Sequence, residues 1–133
     1  VGLVAPKVRK DLNIPEAIQA SAHRSLSAAL KMLDGSVLSN DQFLAGDAMT
    51  LADLAAYVEI GQLQPEFTNV FDFSGYPNVQ RWMSDMKGVD GHDAVHVALT
   101  ELGDISERAP DMEQIKQANR RALGAIKARL EGL

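Results

Sequence analysis

Apolar residues recur along this chain at three- and four-residue spacings, which predicts helices nearly throughout. Pro15 suits the first position of a helix, and Ile18, Ala22, Leu26, Ala29, Leu30 and Leu33 then fall on one stripe, with Asp34-Gly35 as its expected stop. The segment Leu51 to Leu63 differs in kind. Leu51, Ala52, Leu54, Ala55, Ala56, Tyr57, Val58 and Ile60 cover almost its whole circumference, and Asp53 and Glu59 are its charges. A helix apolar all round is a buried one, so this segment is expected to be the central post of the domain.

Pro65 ends that helix, and Phe67, Val70, Phe71 and Phe73 are expected to pin the following connector inward. Pro77 opens a helix with the stripe Val79, Trp82, Met83 and Met86; Gly88 and Gly91 interrupt it. A further helix carries Val95, Leu99 and Leu102 up to Gly103. After Pro110 a last amphipathic helix, about 111–133, shows Ile115, Ala122, Leu123, Ile126 and Leu130 on one side. No run alternates at period two and no hairpin dipeptide occurs. The fold class is therefore all-α, a multi-helix orthogonal bundle around a buried central helix.

The start of the central helix is marked locally. Thr50 suits the N-cap, and Asp53, three residues on, can reach back to the Thr50 N–H and close a capping box. Met49 and Leu54 have the spacing of a hydrophobic staple. Asp53 also sets negative charge on the positive end of the helix dipole.

Composition narrows the function classes. At 133 residues, 46% apolar and 23% charged, the chain fits one ordered domain. It has no cysteine, which removes disulfides, thiolate metal sites and thiol nucleophiles, and which fits a reducing, cytoplasmic setting. The net charge of −5 argues against nucleic acid as a partner, and the apolar runs are too short to cross a membrane. Lys116, Arg120, Arg121, Lys127 and Arg129 gather near the end, where a solvated helix face is the simpler reading. The chain begins on Val, so its first residue need not be the start of a gene product.

Candidate chemistry is sparse. His92 and His96, four apart beside Asp90 and Asp93, could share a metal, but no third ligand follows in a recognised pattern. A histidine hydrogen-bonded near a helix end is the simpler reading of them. His23 stands among Ser21, Ser25 and Ser27 without a strained nucleophile turn. Asp47, Asp53, Asp72, Asp90 and Asp93 sit where capping accounts for them. Gly88-Val89-Asp90-Gly91 follows no strand and is too short to cradle a phosphate. The methionines and Trp82 read as core. No catalytic residue and no metal site emerges.

Phe-Leu-x-Gly-Asp at 43–47, then Thr-Leu-Ala-Asp-Leu at 50–54 leading an apolar helix, resembles the C-terminal helical domain of cytosolic glutathione transferases. In that family a capping box and staple open a buried helix, and Thr50, Asp53, Met49 and Leu54 match those positions. Tyr76-Pro77-Asn78-Val79 with Trp82 resembles the start of a later family helix. His96 falls where theta-class members often carry His. The tail from Asp111 is similar to the extra helix that theta-class enzymes lay over their active site.

The resemblance implies a single helical domain over 1–133, with a first helix of which Val1 to Lys10 are only the last turns. It implies the hydrophobic co-substrate side of a theta-like transferase, with Ala122 and Ile126 of the tail helix as substrate-binding positions. On an amphipathic helix those two are also core residues. The thioredoxin-like half that binds glutathione and supplies the catalytic Ser, Tyr or Cys has no counterpart here. The chain is therefore expected to be inactive in isolation, with glutathione bound only alongside such a domain. A homodimer or a separate thioredoxin-like domain is the expected partner. The alternative is a stand-alone interaction module, of the kind found in aminoacyl-tRNA synthetase and elongation-factor complexes.

Overall fold

The computed structural model describes residues 2–132, and every regular element among them is helical. They are α1 (Ala5–Val8), α2 (Glu16–Met32), α3 (Leu51–Gly61), α4 (Pro77–Met86), α5 (His92–Leu102) and α6 (Met112–Glu131). A 3-10 turn, Lys10–Leu12, follows α1. The chain is all-α, as its periodicity requires. Val1 and Leu133, at the outer ends of the expected first and last helices, lie outside the described residues.

Asp34-Gly35 is not a stop. The helix winds on through Leu33–Val37 as a π turn, closed by Leu38 N–H donating to the Leu33 carbonyl at 2.8 Å. The reason is tertiary. The Asp34 carboxylate accepts from the backbone N–H of Asn78 at 2.7 Å and of Val79 at 3.0 Å, so it caps α4 from a distant part of the chain. Pro77 at the first turn and Tyr76 before it offer α4 no side-chain cap of their own. Arg81 of α4 then donates to the carbonyls of Leu38, Asp41 and Gln42 and fastens the loop after the π turn.

The core gathers where α4 meets this turn and the 63–73 connector. Trp82, Val79, Met86, Leu30 and Leu38 are sealed from solvent, with Phe71 and Phe73 meeting edge to face at 5.0 Å. α5 and α6 form an antiparallel pair whose seam holds Ala118 and Ala122. Arg121 bridges to Glu101 near one end, and Arg129 to Asp90 at the other. α6 begins with a complete capping box: Gln114 N–H donates to Asp111 at 2.8 Å, and Gln114 Oε1 accepts from the Asp111 N–H at 2.9 Å.

The expectation of an all-round buried α3 needs correction. Only Asp53, Tyr57 and Gly61 are buried, on the face toward α4, whereas Leu51 is 79% and Val58 63% exposed. An all-apolar circumference calls for neighbours on every side, and the described residues supply them on one.

Candidate functional site

Asp53 organises the start of α3. Phe43 and Gly46 pair backbone groups across a tight turn, in which Gly46 takes a φ of 118° that favours glycine. Asp53 Oδ1 accepts from the Leu44 N–H of that turn at 2.8 Å and from Trp82 Nε1 at 2.9 Å. Asp53 Oδ2 accepts from the N–H and the hydroxyl of Thr50, each at 2.9 Å. One fully buried carboxylate thus joins the 43–46 turn, the N-terminus of α3 and the core of α4. Burial by itself pushes its pKa up, but the four donors outweigh that and hold it below the ordinary value. These four donors take up the lone-pair directions of the carboxylate. Met49 and Leu54, flanking this start, are each about two-fifths exposed.

One turn further along α3, Tyr57 enters a polar chain that the sequence does not announce. Its hydroxyl lies 2.9 Å from His92 Nε2, and His92 Nδ1 lies 3.0 Å from Asp93 Oδ1. The carboxylate accepts, so Nδ1 carries a proton, and in the neutral ring Nε2 accepts from the phenol. Gln64 Nε2 donates to the same phenol oxygen at 3.5 Å and to the Gly61 carbonyl at 3.0 Å. Burial raises the Tyr57 pKa. Its ring also stands edge-on to Trp82 at 5.9 Å and rests close to Gly61, where a Cβ would come within 3.0 Å of its Cζ.

His96, one turn after His92, stacks on it at 4.0 Å and on Phe67 at 5.2 Å. Its Nδ1 is 2.7 Å from the His92 carbonyl. Burial lowers its pKa, more than the hydrogen bond to that carbonyl raises it. Stacked in this way, and with three of the four ring nitrogens engaged, the two imidazoles do not converge as a chelating pair. His23, at the other end of the molecule's sequence, lies against Phe71 with ring centroids 4.9 Å apart.

α3, α5 and α6 enclose a predominantly apolar cleft of about 400 Å³. Leu54, Val58, Val95, Ile126 and Leu130 form its walls, Tyr57 and His92 reach its floor, and the Asp90–Arg129 pair stands at its edge. Of the two tail positions, Ile126 lies on this cleft, whereas Ala122 is buried in the α5–α6 seam. The cleft can hold an apolar body beside a few polar groups. The signals that could have pointed to it were the lone hydroxyl-bearing aromatic of α3, Tyr57, and the four-residue spacing of His92 and His96. Their convergence is a product of packing.

No helix among the described residues is long and apolar enough to cross a membrane. No solved structure matches the chain. A family model described as "Glutathione S-transferase, C-terminal domain" matches residues 3–88. That span contains the 43–46 turn, the Asp53 hub and all of α4, and stops short of α5. With most of its length matched and a helical fold built on the Asp53 hub, the chain belongs to the glutathione S-transferase C-terminal domain family.

Proposed function

We propose that this chain is the helical half of a theta-like glutathione transferase. It forms an apolar wall for a hydrophobic electrophile and leaves thiol activation to a thioredoxin-like domain. The observation that carries this reading is the cleft between α3, α5 and α6, to which the tail helix contributes Ile126. A glutathione thiol resembles a free Cys thiol, with a pKa of about 8.5, and needs a nearby donor or cation to ionise at neutral pH. Tyr57 is the hydroxyl closest to filling that role, but its proton is committed to His92 and burial raises its pKa.

The exposed Leu51 and Val58 continue the cleft outward as an apolar surface. Such surfaces call for a cover, here a thioredoxin-like domain or a second copy of the chain. The purified chain should show no conjugation of glutathione to 1-chloro-2,4-dinitrobenzene above the uncatalysed rate. It should bind an apolar anilinonaphthalene dye in the cleft, and Ile126→Asp should weaken that binding. Conjugation that disappears in Tyr57→Phe would overturn the division of labour. Dye binding indifferent to Ile126→Asp would remove the cleft from it.

A further inference from the structure

A second cavity, of about 520 Å³, adjoins the cleft at His92 and His96 and has chemistry of its own. His96 is 9% exposed, its ring held between Phe67, nearly parallel at 13°, and His92 at 22°. Its Nδ1 faces the His92 carbonyl, which can only accept, so that nitrogen carries the proton. Burial lowers the pKa of the ring, and in the neutral form Nε2 is an acceptor. No protein group bonds Nε2, yet among the described residues no fully buried side-chain nitrogen or oxygen lacks a partner. Nε2 therefore reaches open space, at the wall that the cavity shares with the apolar cleft.

The same wall carries three carboxylates, Glu66, Asp93 and Glu101, against one ammonium, Lys87. Lys87 is tied to Glu66, and Glu101 to Arg121. Asp93 gives one oxygen to His92 and is otherwise in solvent. What the cavity offers a guest is thus an unpartnered acceptor on the wall it shares with the cleft and more carboxylates than ammonium groups around it. Phe67 and Val97 supply an apolar surface. No trio of imidazole or carboxylate groups among the described residues is placed to hold a metal ion.

We propose that this cavity binds a small primary ammonium compound. One N–H of the guest donates to His96 Nε2, Asp93 and Glu101 balance its charge, and a short apolar body rests on Phe67 and Val97. Against an anion stand the three carboxylates of the wall, and Lys87, its one ammonium, is already paired with Glu66. The proposal goes beyond the transferase reading, since it concerns neither the thiol nor the electrophile, although His92 and His96 line both the cavity and the apolar cleft.

The test is a titration of the whole chain, labelled with 15N-histidine, with 2-phenylethylammonium, followed by NMR at a pH above the His96 pKa. Saturable binding should move the His96 Nε2 resonance toward its hydrogen-bonded position and leave Nδ1 nearly still. 2-Phenylethanol and 3-phenylpropionate should bind at least about tenfold more weakly, a loss of about 1.4 kcal/mol. His96→Phe, which keeps a ring in the stack, should lose a similar factor. Should that variant fail to fold, Glu101→Gln on the exposed rim and the wild-type nitrogen shift carry the test. An unmoved His96 Nε2 at saturation would overturn the proposal. So would equal affinity for 3-phenylpropionate, or no saturation at millimolar concentration.

Discussion

Replacing Asp53 by Asn tests the hub at the start of α3 with almost no change in shape. The carboxylate accepts four hydrogen bonds, two at each oxygen, from Leu44, Trp82 and Thr50. An Asn can keep its oxygen toward Leu44 and Trp82, where the indole is sealed from solvent, but its NH2 group must then face the Thr50 N–H. The Thr50 hydroxyl can turn and accept; the backbone N–H cannot. One donor is left facing a donor, and the two bonds that survive lose their ionic partner. Hydrogen bonds to a charged group contribute about 1.5–3 kcal/mol, and an unsatisfied buried donor costs about 1–3 kcal/mol. Their combination places the loss at about 3–4 kcal/mol, well above the ~1 kcal/mol of an ordinary exposed cap. For a chain of this size that is a fall in Tm of roughly 10–15 °C. The assay is urea unfolding at pH 7, followed by the fluorescence of Trp82, which Asp53 touches directly.

A second reading comes from pH. Because the fold holds the Asp53 pKa below its ordinary value of 3.8, its stabilisation is present in full above that value. It is lost as pH falls through the lower native pKa. The gap between wild type and Asp53→Asn should therefore narrow in acid. A gap under about 1 kcal/mol at pH 7 would refute the hub, since even one orphaned donor exceeds it. A gap unchanged below pH 3.8 would refute the ionic part.

Three further outcomes follow from named contacts. Asp34→Ala removes the cap that α4 borrows from the π turn and should cost about 1–2 kcal/mol in urea unfolding, while Asp41→Ala should cost little. Tyr57→Phe leaves the buried His92 Nε2 without its phenol and should destabilise by about 1–2 kcal/mol, with a changed His92 15N spectrum at unaltered helix content. His96 is held neutral by burial, so it costs the fold nothing above pH 6.5. As pH drops below that, the unfolded chain takes its proton first and stability falls until the lower native pKa is passed. His96→Phe should flatten that part of a stability–pH curve.

The legible part of this protein is its short-range part. Helical spacing is set by 3.6 residues per turn, so the all-α class and the approximate helix positions follow from apolar periodicity. The Thr50–Asp53 bond links residues three apart, where helix geometry brings them together whatever surrounds them. Gly46 and Pro77 act within their own turns.

Tertiary structure decided the rest, because long-range partners are chosen by packing and leave no spacing to read. It joined Asp53 to Trp82 and turned an ordinary helix start into the fastening point of two helices and a turn. It drew Asp34 away from ending α2 and set it as the cap of α4. It covered one face of α3 and left Leu51 and Val58 open, where hydropathy by itself could only say that the helix seeks neighbours. It brought Tyr57 to His92, and divided Ala122 from Ile126 between a helix seam and a cleft. The residues that a single helix can place were visible in the sequence. Those that need two helices to meet became visible only once the chain was packed.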